Sequence, residues 1–294
     1  MEKKFLLIVN PVSGKGKAKS ALTPVLCEFA KYGWRATVYM TTKRGEATEY
    51  ARSHGGEYET LVCIGGDGTL SEVINGLMDI EERPVIGYIP MGTTNDVAAC
   101  LKLPKELPDL VKKIVEGNFT NYDVGLFDGK YFSYVAAFGA FTEASYSASQ
   151  EVKQTLGRVS YLLEGVKCLP KISAKHAKVE YDGGELEGNF IFGAVTNSTR
   201  VAGMVKLDPN TVLLHDGLFE TLLIRKPKNI ANLNNIVSNI LKQKYTDESV
   251  EYIHSGKIKF TFNEPVSWTR DGENGGAFEE AELVNIKHAV KIII

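Results

Sequence analysis

The stretch TLVCIGGDGTLSEVINGL, residues 60–77, decides how the first half of the chain is read. Thr60 to Ile64 is an apolar run of strand length, and Leu70, Val73, Ile74 and Leu77 recur at the spacing of one helical face. Between them lies Gly65-Gly66-Asp67-Gly68. The three glycines let the backbone approach a ligand without Cβ obstruction. A helix starting near Thr69 turns its first N–H groups and the positive end of its dipole toward whatever sits there. Those properties suit a phosphate. Asp67 is out of place beside an anion unless a cation is also present, and Mg²⁺ resolves the conflict by taking carboxylate, water and phosphate oxygen together. Taken alone, the loop is equally a glycine turn with Asp67 as a helix cap. Standard nucleotide fingerprints are missing. GxxxxGK[ST] has no match, the nearest stretch being Gly14-Lys15-Gly16-Lys17, and GxGxxG fails because Ser71 stands where the third glycine belongs.

Outward from this stretch, strand and helix patterns alternate. Phe5–Val9 reads as a strand; Ala21, Leu22, Val25, Leu26, Phe29 and Ala30 then share a helical face. Ala36–Met40 is a second strand followed by a helix over Glu46–Ser53, and Val85–Ile89 is a fourth strand, with further helices from Asn95 and over Leu107–Val115. Such alternation predicts βαβ units around a parallel sheet, whose ligands bind in loops at the carboxyl ends of the strands. The loops in question are NPVSGKGK, TTKRG, GGDGT and PMGTTND. Beyond about residue 123 the texture changes to strands separated by turns such as Asp-Gly. Strands are expected at Tyr122–Gly125, Tyr131–Phe138, Ala177–Tyr181, Asn189–Val195, Gly217–Ile224, Lys257–Phe262 and Val284–His288, with helices around Thr155–Cys168 and Asn229–Lys242. The expectation is an α/β protein: a parallel-sheet nucleotide-binding domain over 1–123, then a β-rich antiparallel second domain over 124–294 whose end can return to the first.

Composition narrows the classes. With a net charge of −2, the chain has no global basic field to draw in nucleic acid. Cys27, Cys63, Cys100 and Cys168 are far apart and in apolar contexts, which predicts buried, reduced thiols rather than a disulfide framework. The short apolar run in MEKKFLLIVNP reads as a first strand rather than a leader, and no stretch approaches the ~20 apolar residues of a spanning helix. A cytoplasmic protein is expected.

NPxSG at 10–14, GGDGTLxEVxNGL at 65–77 and PxGTxNDxA at 90–98, in this order and spacing, resemble the diacylglycerol kinase catalytic domain. The resemblance continues through YFSYVAAFGAFTEASY, LGRVSYLLEGVKCLP, DGLFETLLI and RDGENGG, so it covers nearly the whole chain. It implies a Rossmann-like first domain of the NAD kinase and diacylglycerol kinase type. It also implies ATP as phosphoryl donor, Mg²⁺, and a lipid alcohol as acceptor. Asn10, Pro11, Val12, Ser13, Gly14, Thr41, Gly66, Asp67, Gly68, Thr69, Leu70, Ser71, Glu72, Thr93 and Asn95 match ATP-binding positions. Asp67, Asp96 and Asp123 match the carboxylates around Mg²⁺, and Asp216 with the main-chain oxygens of Leu213 and Leu218 matches a structural Mg²⁺ site. Glu273 matches the general base, with Asp271 as its rival and Asp67 as the carboxylate that organises metal and phosphates.

The sequence departs from its relatives' pattern at Val201–Val205 and Leu207–Thr211, which bears on the acceptor and on the second metal site. Apolar residues beside Arg158, Lys167, Lys171, Lys175 and Lys178 suit peripheral contact with a membrane, or equally a core helix with a basic edge. Diacylglycerol is the expected acceptor and a homodimer the expected assembly. The alternatives are a sister kinase acting on phosphatidylglycerol or a sphingoid base, an NAD kinase, and a non-catalytic nucleotide- or lipid-binding regulator.

Overall fold

A computed structural model describes residues 3–139, 173–201, 205–207, 212–229, 232, 235–236, 238–239 and 248–294. The helix expected over Thr155–Cys168 lies outside these residues, as does most of the one over Asn229–Lys242. The chain divides into two compact units, Met1–Val124 with Lys287–Ile294, and Gly125–Ile286.

In the first unit the chain runs β1 (Lys3–Val9), α1 (Lys17–Ala30), β2 (Trp34–Met40), α2 (Glu46–His54), β3 (Thr60–Gly65), α3 (Asp67–Leu77), β4 (Val85–Pro90), α4 (Asp96–Cys100) and α5 (Leu107–Glu116). Strand β1 pairs in parallel with β2 and β3, and β3 in parallel with β4. Strands buried on both faces read as unbroken apolar runs, which is why FLLIV and LVCI carry no alternation. Phe5, Phe29 and Trp34 stack into the core beside Val25, Ile64, Leu110 and Ile114. Each such side chain contributes roughly 1.5–3 kcal/mol by leaving water. The chain end completes this unit: Ile292 pairs in parallel with Ile86, and Arg83 donates to the carbonyls of Leu77, Met78 and Ala289.

The second unit is built from the end of β5 (Phe119–Phe127), β6 (Lys130–Phe132), β7 (Val135–Gly139), β8 (Lys175–Tyr181), β9 (Gly184–Thr196), the short pair β10 (Arg200–Val201) and β11 (Val205–Lys206), β12 (Phe219–Arg225), β13 (Val250–Ser255), β14 (Lys257–Arg270) and most of β15 (Glu273–Ile293). Antiparallel pairings join β7 with β9 and β14, β12 with β9 and β13, and β14 with β15. Trp268 fills the core, ringed by Phe127, Phe138, Phe260 and Phe262.

Several expectations are corrected here. The expected strand Tyr131–Phe138 is two strands, broken at Ser133–Tyr134. Strand β14 continues past Phe262 to Arg270, because Pro265 falls where the register with β15 shifts and no ladder N–H is required. Strand β15 begins at Glu273 rather than Val284; its glutamates lie on exposed positions of an alternating pattern. Strand β13 carries no alternation strong enough to be read. Cys63 is buried as expected and burial pushes its thiol up, but Cys27 is exposed. Lys175 and Lys178 lie on β8 rather than beside a helix, paired with Glu264 and with Glu180 and Glu185.

The turn between β8 and β9 is tied to the one between β13 and β14 through Asp182. Its carboxylate accepts from the Ser255 hydroxyl (2.9 Å) and from the N–H groups of Gly256 (2.7 Å) and Lys257 (3.2 Å). The Ser255 hydroxyl, then the two N–H groups and the Lys257 charge, hold the carboxyl below its ordinary value. A depressed folded pKa stabilises above the unfolded pKa of about 4, and that contribution is lost as pH falls through the folded value. Asp182→Asn is therefore expected to unfold more easily than wild type at pH 7. The exposed site limits the difference to under about 1 kcal/mol. Thermal scans from pH 7 downward should show the two curves converging below about pH 4.

Candidate functional site

Parallel register brings four loops to one edge of the first unit. Val9 lies opposite both Met40 and Ile64, and Gly65 opposite Pro90. The ladder runs on past the strands. The N–H of Asn10 reaches Ile64 O at 3.0 Å, that of Thr41 reaches Val9 O at 2.9 Å and that of Met91 reaches Gly65 O at 2.7 Å. Asn10, Thr41, Gly66 and Met91 are thereby fixed side by side.

The loops then lock onto one another. Asn10 Nδ2 donates to Thr69 Oγ1 (3.1 Å) while its Oδ1 accepts from the N–H of Val12 (3.2 Å). Gly66 and Gly92 approach so closely that a Cβ on Gly92 would lie 2.5 Å from Gly66 Cα. Gly14 has φ +60°, and a Cβ there would sit 2.2 Å from Met91 O. Asn95, itself left-handed at φ 53°, clamps Gly92 by accepting from its N–H (2.8 Å) and donating to its carbonyl (3.1 Å). Glu72 accepts from the N–H of Gly45 at 3.0 Å and so holds the TTKRG loop. These residues shape the edge.

Asp67 departs from the helix-cap reading the sequence allowed it. Helix α3 starts at Asp67 rather than Thr69, with Gly66 at the cap position, so Asp67 does not cap its own helix. Its carboxylate instead accepts from the N–H groups of Asp96 (3.1 Å) and Val97 (3.2 Å), where α4 begins. Asp96 is fully buried. Asp123, also fully buried, accepts from the N–H of His288 at 2.6 Å and anchors the returning chain end. Among the described residues no three His, Cys, Asp or Glu side chains converge as a metal site. Asp67, Asp96 and Asp123 thus do not by themselves form such a site.

Gly68 is the exception among the loop glycines. A Cβ there would meet nothing within 4 Å, so packing does not require a glycine. As the second residue of α3, its N–H has no acceptor within the helix. Open space over an N-terminal helical turn is what a phosphate uses. Around it Val12 and Thr93 are exposed and Ser13 and Ser71 half-buried, whereas Leu70 and Thr41 are buried and can offer little beyond backbone. Gly68→Ala should keep or slightly raise stability, since alanine is favoured in helices by roughly 0.5–1 kcal/mol. It should weaken ATP binding about tenfold, as read by calorimetric titration beside a thermal scan. Unchanged ATP affinity contradicts the phosphate reading of this turn.

In the second unit, Asp271 and Gly272 form the two-residue tip of the β14–β15 hairpin, with φ 46° and 82° and Arg270 paired to Glu273. Positive φ at both positions is a type I′ turn, which Asp-Gly favours. Asp271 Oδ2 accepts from the N–H (2.7 Å) and the hydroxyl (2.8 Å) of Ser133, and Oδ1 from the N–H groups of Tyr134 and Val135, both at 3.0 Å. A carboxylate has about four lone-pair directions. All four are taken, so Asp271 has none left with which to receive a proton from a substrate. Glu273, next in line, is exposed. Asp216 lies elsewhere in this unit, its Oδ1 accepting from the N–H of Leu218 at 2.9 Å, with Leu213 and Leu218 exposed. Ser133 was invisible to sequence reasoning, because its partner is 138 positions away.

Comparison with known proteins shows the family. The diacylglycerol kinase catalytic domain model matches residues 4–127, and that of the YegS C-terminal NAD kinase beta sandwich-like domain matches 136–292. The chain is 32% identical to a diacylglycerol kinase of Bacillus subtilis (strain 168), over 99% of this chain and 96% of the relative. The chain belongs to the diacylglycerol kinase family. With it, this enzyme joins the lipid kinases. A diacylglycerol kinase of Staphylococcus carnosus (strain TM300) is 35% identical over 99% of this chain and 95% of its own. A solved diacylglycerol kinase of Bacillus anthracis str. Sterne shares the fold, with a TM-score of 0.77 at 21% identity, covering 99% of this chain and 96% of that one.

Proposed function

We propose that this kinase transfers the γ-phosphoryl group of ATP, with Mg²⁺, to the free hydroxyl of diacylglycerol, giving phosphatidic acid and ADP. The observation that carries the reading is end-to-end similarity: relatives named diacylglycerol kinase align over 99% of the chain, the second unit included. The parallel, Rossmann-like first unit would hold the donor through the open turn at Gly68 and the loops around Asn10–Gly14, Thr41 and Thr93. Mg²⁺ fits an oxygen-only set in which Asp67 is joined by phosphates and water, since among the described residues the side chains do not by themselves enclose a cation. Its chemistry there is neutralisation of phosphate charge. At Asp216, a second Mg²⁺ would take the carboxylate with main-chain oxygens of Leu213 and Leu218.

Glu273 acts as general base. It takes the proton of the acceptor hydroxyl as that oxygen bonds to the γ-phosphorus, while the bond from phosphorus to the β–γ bridging oxygen breaks and ADP leaves. Among the described residues no helix is long and apolar enough to cross a membrane. On the family resemblance, the reading assigns the enzyme to the cytoplasm, with peripheral contact at the inner membrane surface and a homodimeric assembly.

Labelled ATP and Mg²⁺ offered with diacylglycerol, phosphatidylglycerol, a sphingoid base and NAD in parallel test the acceptor. Label in diacylglycerol is expected. Preference for another lipid reassigns the substrate within the lipid kinases, label in NAD alone overturns the lipid reading, and ATP binding without transfer anywhere favours a regulator.

A further inference from the structure

We propose that Asp271 is a positioning residue, clamped with Ser133 so as to fix the backbone that presents Glu273. The proposal rests on the reading of Glu273 as base. Its evidence is independent: four donors on one carboxylate, at 2.7, 2.8, 3.0 and 3.0 Å, all from Ser133–Val135. Ser133 and Tyr134 are the break between β6 and β7, Val135 opens β7, and Ser133 is fully buried. The N–H groups of Ser133 and Tyr134 fall outside both strands, and Asp271 supplies their acceptor. The Asp271 N–H donates back to Val135 O at 2.8 Å, so the tip is held in both directions. Arg270, just before Asp271, pairs with Glu273 across the hairpin. Arg270 is itself locked by a hydrogen bond from its guanidinium to Phe127 O (2.8 Å), with the Phe127 ring 5.7 Å away. Two anchored residues, one opposite the glutamate and one two positions before it, therefore hold the backbone that leads into it. A two-residue hairpin tip without such anchors would let it wander.

Asparagine cannot replace this carboxylate. Its single oxygen accepts from at most two of the four donors, and its NH₂ would point at the remaining two. A misplacement of roughly 1 Å in a catalytic group costs about 100-fold in rate. With the full-length enzyme, labelled ATP and diacylglycerol in mixed micelles, Asp271→Asn is expected to lower kcat about 100-fold. KM for ATP should stay within about twofold, and the acid limb of the pH–rate profile should be kept, because the proton acceptor is unchanged. Ser133→Ala removes one donor and leaves the carboxylate, so it should lower kcat roughly fivefold, again without a change in KM. It also carries the test if Asp271→Asn does not fold. Full activity of either variant, or loss of the acid limb in Asp271→Asn, overturns the proposal. Failure of the underlying reading looks different: Glu273→Gln would then turn over at the wild-type rate. An inactive Glu273→Gln beside a fully active Asp271→Asn defeats the positioning role alone.

Discussion

Glu273→Gln is expected to lower kcat about 10³-fold while leaving ATP affinity unchanged. The size follows from what a positioned general base supplies, about 10²–10⁴ in rate. Glutamine keeps the shape of glutamate and loses the capacity to take a proton. ATP binding is assigned to first-unit loops, and Glu273 belongs to the second unit, so the substitution should spare it. Steady-state kinetics with titration calorimetry decide. A variant that also loses ATP affinity would show that Glu273 serves binding rather than proton transfer, and a fully active one would remove it from the mechanism. The four hydrogen bonds on Asp271 make this prediction sharper than sequence could, since they leave the rival carboxylate no lone pair for the proton.

Asp67→Ala is expected to cost about 10³-fold in kcat/KM together with measurable stability. The two losses have separate origins. Removing the carboxylate deletes the negative charge that organises cation and phosphates, an electrostatic contribution of about 10²–10³ in rate. It also strips the acceptors from the N–H groups of Asp96 and Val97 at the start of α4, a cap supplied from another helix. Loss of such a cap costs about 1 kcal/mol. Asp67→Asn separates them: it retains one acceptor oxygen and should recover part of the stability while remaining slow. Thermal scans beside kinetics for both variants read this directly. An alanine variant of unchanged stability would contradict the capping role, and a brisk asparagine variant would contradict the electrostatic one.

The elements of the first unit were legible because each is a separate signal. Apolar runs at Phe5–Val9, Thr60–Ile64 and Val85–Ile89 alternate with helical stripes, and the strands fall within a residue or two of those bounds. The second unit was less legible. Strand β15 hides behind glutamates at exposed positions, and β14 passes through Pro265, which halts a pattern-based reading but not a strand whose register shifts there. Site residues divided the same way. Asn10, Asp67 and Asn95 could be picked out by motif, but what they touch could not. Asn95 clamps Gly92 and Asp67 caps α4, both consequences of loops meeting at a sheet edge. Gly68 and Gly66 look alike in sequence; only the surrounding space shows that one is crowded by Gly92 and the other open.

The central claim is transfer of phosphate from ATP to a lipid hydroxyl with Glu273 taking the proton. It is tested most directly by following γ-labelled ATP with diacylglycerol and Mg²⁺, wild type and Glu273→Gln side by side at equal ATP occupancy. The wild type should yield labelled phosphatidic acid and the variant almost none. Label that never leaves ATP in the wild type, or that reaches lipid equally in both, would contradict the account.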